Sequence, residues 1–353
     1  MKKYPEIKIK NRKISKDQPP YIIAEMSANH NGSINNALKI IELAKNAGAD
    51  AIKIQSYTPD TITLNCNFEE FNITEGIWKG KSLYDLYKEA HMPWEWHQTL
   101  FDYAEKIGIT IFSSPFDNTA VDLLEKLNTP AYKIASFEIV DLPLIKYVAS
   151  TGKPMLISTG MAKLIEIEEA IETAREGGCK EIAILHCVSG YPSPASDYNL
   201  RTLADIVQRF EVVTGLSDHT IDNISAITSI AMGASIIEKH FTLDRRRGGP
   251  DDSFSIEPNE LKELCKNTKI AWESLGEINY EIKSSEKDNL KFRRSLYFVK
   301  NMKKGESITY ESIRSIRPGF GLEPKKLESL IGSKINQDVR IGTPVKMDLI
   351  TKE

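Results

Sequence analysis

The chain has 353 residues, 41% of them hydrophobic and 27% charged, with a formal net charge of −3, so nothing in it provides a global field to draw nucleic acid or an anionic membrane surface. That length exceeds what one ordinary core supports and leaves either a single large α/β barrel with an appendage or two smaller domains. The basic N-terminus has no signal-like apolar run, no stretch reaches bilayer-spanning length, and Cys66, Cys179, Cys187 and Cys265 form no CxxC pair; the expectation is a cytoplasmic protein with reduced, packing cysteines and neither nucleic acid nor membrane as partner.

In chain order, IKIKNRKIS reads as a hairpin placed to plug the bottom of a barrel. Short apolar, β-branched runs follow: YIIAEM from Tyr21, DAIKIQ from Asp50, ITIFSS from Ile109, AYKIAS from Ala131, PMLIST from Pro154, EIAILH from Glu181, VVTGLSD from Val212 and SIIEKH from Ser235. Segments of helical period separate them. In the first, Ile34, Ala37, Leu38, Ile41 and Ala44 share a face, with Ser33 as N-cap and Gly48 as C-cap. Others fall near 95–107, 117–127, 163–177, 198–209, 222–233 and 258–275. Alternation of this kind over about 250 residues predicts a TIM (β/α)8 barrel, with an open doubly wound sheet as the alternative.

The stretch from Ser56 to Met92 is too long for an ordinary βα loop and marks a lid or specificity element. Residues 1–280 are expected to form the barrel with its hairpin, 281–292 a charged linker, and 293–353 a small second domain.

Active sites of such barrels lie at the C-terminal strand ends. Lys53 and Lys133 are the least expected residues there, because a buried ammonium needs an anion or a carboxylate beside it. Two of them at one mouth suggest a phosphate site, with Ser136, Ser158 and Ser217 as neutral donors; for either lysine alone, pairing with a core carboxylate explains it equally well. His219 and His240 end consecutive strands; either alone reads as a hydrogen-bonded histidine in a polar pocket, but side by side they suit a divalent metal with open positions. His186 reads equally as a packing residue, and His30 sits in a turn. Glu25, Glu138 and Asp251 are candidates for holding sugar hydroxyls, for holding a metal's water or for a general base, or else partners of the lysines. RRRGGPDDSFS reads as a closing loop or simply a solvated one.

Together and in this order, AEMSANHNGS, GADAIKIQ, FSSPFD, PAYKIASFE, STGM, ILHCVSGYPSP, GLSDHT, GASIIEKHFT and GGPDDSFS resemble the sialic acid synthase family. RRSLYFV and SIRPGFGL look like that family's antifreeze-like (SAF, β-clip type) C-terminal domain. The resemblance implies a manganese or magnesium ion on His219 and His240. It implies phosphoenolpyruvate on Lys53, Lys133, Ser136, Ser158, Ser189 and Ser217, and an amino-sugar aldehyde near Glu25, Glu138, Tyr191 and Asp251. It also implies a domain-exchanged homodimer in which Arg317 reaches the partner's active site.

IKIQSYTPDTITL, WKGKSLYDLY and PWEWH look like the branch that makes pseudaminic acid, and Ser189 stands where neuraminate synthases more often carry asparagine. Products of the neuraminate or legionaminate type are the alternative within the family. For the pseudaminic acceptor, Trp78, Tyr84, Tyr87, Trp94 and Trp96 are the aromatic residues expected either to meet its methyl and acetamido groups or to anchor the long loop. Outside the family, the rivals are a Schiff-base aldolase using Lys53 or Lys133, and a carbohydrate-binding protein whose tail is the functional unit.

Overall fold

The computed structural model describes residues 4–351, and its contacts divide the chain into two units at Gly276. In the first, β1 (Ile7–Ile9) and β2 (Arg12–Ile14) form an antiparallel hairpin. The strands β3 (Tyr21–Glu25), β4 (Ala51–Ser56), β5 (Thr110–Pro115), β6 (Tyr132–Ile134), β7 (Met155–Ser158), β8 (Ile182–Cys187), β9 (Val213–Asp218) and β10 (Ile236–His240) follow. They pair in parallel in chain order, and β10 pairs back onto β3. Closure makes this a TIM barrel and excludes the open sheet.

Side chains two apart on a strand share a face, and two apolar clusters separate on that parity. Tyr21, Ile23, Ala51, Phe112, Ala131, Leu156, Ala183, Leu185, Val213 and Ile236 cluster with Ile7, Ile9 and Ile14 of the hairpin. The alternate residues Ile22, Ile52, Ile54, Ile184 and Ile237 pack with the surrounding helices instead. The first set is therefore the barrel interior, and the hairpin plugs its N-terminal end, as expected. Continuing the same parity toward the C-terminal ends brings Glu25, Lys53, Ser114, Lys133, Ser158, Ser217, Glu238 and His240 inward. The interior is apolar below and charged above.

Gly215 on β9 belongs to the inward set. A Cβ there would lie 2.5 Å from both the Leu185 side chain and the Ile236 carbonyl, so only glycine lets these strands close at that level.

Around the barrel, the helix Ile34–Ala47 buries Ala37, Ile40, Ile41 and Ala44; Ser33 accepts from the Asn36 N–H, and Gly48 ends the helix at φ 97°. The sequence reading places no helix at Leu142–Ser150, where one is capped by Asp141. Its LPLI start is almost continuously apolar and includes proline, which masks the helical period. The long segment after β4 holds a helix at Leu83–Ala90, tied down by Tyr57, whose ring meets Tyr87 and Phe116 at 5.7 and 5.1 Å.

In the second unit a 3₁₀ helix covers Ser284–Phe292, within the stretch expected as linker. β11 (Ser295–Phe298) and β12 (Ile313–Ile316) pair antiparallel over a core that includes Leu296, Phe298, Ile308, Ile313, Ile335 and Val345. Among the described residues, no helix is long and apolar enough to cross a membrane.

Candidate active site

Both strand lysines are buried at the C-terminal mouth. Lys53 Nζ lies 2.9 Å from Glu25 Oε2, 3.7 Å from Glu238 Oε1 and 3.1 Å from Ser114 Oγ. Lys133 Nζ donates to the same Glu238 Oε1 at 2.9 Å. The carboxylate alternative is thus met for both lysines, yet both stand at one rim and share one oxygen. Glu238 lies within the SIIEKH run with no role assignable from sequence; its place as the common partner depends on β10 facing both β4 and β6 across the barrel.

Electrostatics differ between the two ammoniums. Burial works against the charge of Lys53, but Glu238 and Glu25 outweigh it and hold the pKa above the ordinary lysine value. At Lys133 burial wins over Glu238 and the value falls. Burial would raise Glu238, and the two lysines reverse that. Its Oε2 is buried without a hydrogen-bond partner, which leaves an acceptor pointing at no protein donor.

Next to the lysines is a cradle of hydroxyls. Ser158 Oγ is buried and unpartnered, and Ser217 Oγ is 3.3 Å from Glu238 Oε1. Gly160 N–H donates to Ser136 Oγ. A Cβ on Gly160 would sit 2.0 Å from Ser189 Oγ and 2.7 Å from Ser136 Oγ, so glycine here is what lets both serines crowd one space. An unsatisfied buried hydroxyl costs about 1–3 kcal/mol, and a bound anion would remove that cost.

The two imidazoles meet as expected. The rings of His219 and His240 are 5.4 Å apart, and Tyr191 packs on them at 4.4 and 5.9 Å. His219 Nδ1 lies 2.8 Å from the Val188 carbonyl, a contact that makes it the donor and leaves Nε2 with its lone pair. His240 Nδ1 is buried without a partner. Burial, reinforced by His219 and the lysines, holds His240 well below the ordinary histidine range, so its ring is neutral and fit to ligate. At His219 burial acts in the same sense, but Cys187 and Val188 pull the value up. Among the described residues no group of three or more His, Cys, Asp or Glu side chains could hold a metal; two adjacent imidazoles, His240 neutral and His219 once deprotonated, fit an ion completed by substrate or water.

His186 points the other way on β8, against the Tyr198 carbonyl, and His30 packs edge-on to Trp96. Of the loop aromatics, Trp94 donates to the Tyr57 carbonyl and Tyr84 to Asp60, both anchoring contacts. Trp78 bridges toward the mouth: its ring is 5.8 Å from Tyr191 and its N–H donates to the Pro250 carbonyl.

Asp251 accepts from Ser27 and from the Ala28 N–H. Its loop is pinned by Asp252, which accepts from Asn31 and from the Gly249 N–H, so the glycine-rich loop is not simply solvated. Gln55 donates to both Glu25 and Ser27. Arg317 follows β12 and is exposed.

Burial pushes Glu138 up to about 7, and its Oε2 has no partner. An acid raised on folding favours the folded state fully below its unfolded value and loses that contribution as pH rises through the folded value. Glu138→Gln is therefore expected to gain stability over the unaltered protein between about pH 5 and pH 8, by at most about 3 kcal/mol. Melting curves across that range check it; a constant difference contradicts the buried carboxyl.

A closed β/α barrel with buried cations, hydroxyls and paired imidazoles at its C-terminal mouth has the architecture of a barrel enzyme. The NeuB family model matches residues 40–280, and the SAF domain model matches 293–351. The chain is 43% identical over 337 residues to the pseudaminic acid synthase of Helicobacter pylori, covering 95% of this chain and 99% of that one. It is 36% identical to the N,N'-diacetyllegionaminic acid synthase of Campylobacter jejuni, covering 88% and 94%. The crystal structure of N-acetylneuraminic acid synthetase from Leptospira borgpetersenii superposes with a TM-score of 0.72 at 33% identity, covering 81% and 95%. The chain belongs to the NeuB family.

Proposed function

We propose that the chain condenses phosphoenolpyruvate with 2,4-diacetamido-2,4,6-trideoxy-L-altrose and water to give pseudaminic acid and phosphate. The observation that carries this reading is the convergence of Lys53, Lys133, the unpartnered Ser158 hydroxyl and the His219–His240 pair on one rim. The higher identity to a pseudaminic than to a legionaminic acid synthase favours the product.

Phosphoenolpyruvate lies on Lys53, Lys133, Ser136, Ser158, Ser189 and Ser217. Lys53 and Lys133 are already balanced by Glu25 and Glu238, so an incoming anion needs further positive charge. His219 and His240 would hold a divalent ion, manganese or magnesium, which supplies that charge and Lewis acidity toward the acceptor's aldehyde oxygen.

The π electrons of phosphoenolpyruvate form the new bond from carbon 3 to the aldehyde carbon, leaving an alkoxide on the former aldehyde oxygen. Water adds to the cationic carbon 2 and gives a proton to Glu25, whose carboxyl burial holds above the ordinary range. The tetrahedral centre then expels phosphate by C–O cleavage, its hydroxyl proton leaving with the phosphate while Glu25 returns its proton to the alkoxide, and the lysines meet the phosphate charge. Glu138, Tyr191 and Asp251 hold the sugar, and Trp78, its one donor already committed, offers apolar surface to the 6-methyl group.

The working form is a cytoplasmic homodimer with exchanged tails, in which Arg317 serves the partner's mouth. Phosphate release from a panel of amino sugars tests the reaction. Preference for the 6-deoxy diacetamido sugar is expected; preference for N-acetylmannosamine would overturn the product assignment, and release with none would overturn the reaction.

A further inference from the structure

By parity, Asp218 and Lys239 project outward from the barrel, on the face opposite the reacting groups. Both are buried. Lys239 Nζ donates to Asp218 Oδ2 at 2.7 Å, to the Thr220 carbonyl at 2.5 Å and to the Asp222 carbonyl at 2.8 Å. Asp218 also accepts from the Thr220 N–H at 2.9 Å. Neither residue touches the mouth, yet each is the chain neighbour of a site histidine: Asp218 precedes His219 on β9, and Lys239 precedes His240 on β10.

We propose that the Asp218–Lys239 pair is a positioning clamp that sets the separation of the two imidazoles, cross-linking their strand ends from behind and fixing the turn after His219. This rests on the reading of His219 and His240 as metal ligands. The backbone of His219 is held on its remaining sides as well: its N–H donates to the Tyr198 hydroxyl at 2.6 Å, and its carbonyl accepts from the Ser193 N–H at 3.0 Å. Lys239 is the one link in this set that ties the turn to β10. A buried charge pair is a weak source of stability, because desolvation offsets the attraction, whereas a lysine with carboxylate and carbonyl acceptors on one turn constrains geometry strongly. Removing groups that orient metal ligands typically costs about 10–100-fold in metal affinity.

Lys239→Met alone leaves Asp218 buried and uncompensated, and that protein can fail to fold. The informative variant is Asp218→Asn/Lys239→Met, which removes both charges together. Leu264→Ala, a cavity in the outer core remote in sequence from either histidine, provides a destabilised control. Full-length proteins are stripped of metal, titrated with manganese calorimetrically and melted in parallel. The double variant is expected to bind manganese about 10–100-fold more weakly, with the control close to the unaltered protein. Equal affinity in the double variant overturns the clamp, and so does an equal loss in the control, which would make the effect one of general destabilisation. Absence of saturable binding to the unaltered protein overturns the two-histidine reading itself.

Discussion

His240→Asn is expected to lower kcat for phosphate release by about a thousandfold or more while leaving the fold intact. The ring stands half-buried at the end of β10, and its Nδ1 makes no protein hydrogen bond. Its packing against Tyr191 and Phe254, at 5.9 and 5.1 Å, is the structural contribution that would be lost. Asparagine therefore costs little stability, but it removes one of the two imidazoles paired at that space. Electrophilic activation by a metal is worth several kcal/mol, and each 1.4 kcal/mol is about tenfold in rate. Steady-state phosphate release with excess manganese measures the effect, with circular dichroism verifying the fold. A kcat within about tenfold of the unaltered enzyme would remove His240 from the chemistry.

The second large effect separates stability from function at Lys133. Lys133→Met removes the nearer cation from Glu238 and leaves Lys53 at 3.7 Å as its remaining partner. Breaking one side of a buried pair costs about 3–5 kcal/mol, so loss of activity in that variant alone is ambiguous. Lys133→Met/Glu238→Gln removes both charges, and its melting temperature is expected to return close to that of the unaltered enzyme. Its kcat/KM for phosphoenolpyruvate is expected to stay about 100–1,000-fold low, the scale of losing one charge-stabilising group at a transition state. Recovery of activity along with stability would mean that Lys133 only neutralises Glu238.

Much of this site was legible because a barrel confines its chemistry to strand ends. The eight apolar runs, the caps Ser33 and Gly48, the hairpin plug and the His219–His240 pairing follow from periodicity and chain position alone. Glu238 escaped assignment because Lys133 lies 105 residues away from it; only closure of the sheet brings β6 and β10 to one oxygen. Lys239 was hidden differently: in IIEKH it reads as one more charged strand residue, and only parity shows that it turns outward while its neighbours turn in. The long loop was recognised by length, but which aromatic residue reaches the mouth depends on how it is anchored. Trp94 and Tyr84 spend their donors on the loop, whereas Trp78 ties it to Pro250.

Calorimetric titration of phosphoenolpyruvate into the Lys133→Met/Glu238→Gln enzyme, beside the unaltered protein and with manganese in both, tests the anion-binding role of the rim most directly. The predicted result is affinity about 10–100-fold weaker at a matched melting temperature, the scale of one charge-assisted hydrogen bond. Equal affinity would contradict it, leaving the buried lysines as counter-charges for their own carboxylates.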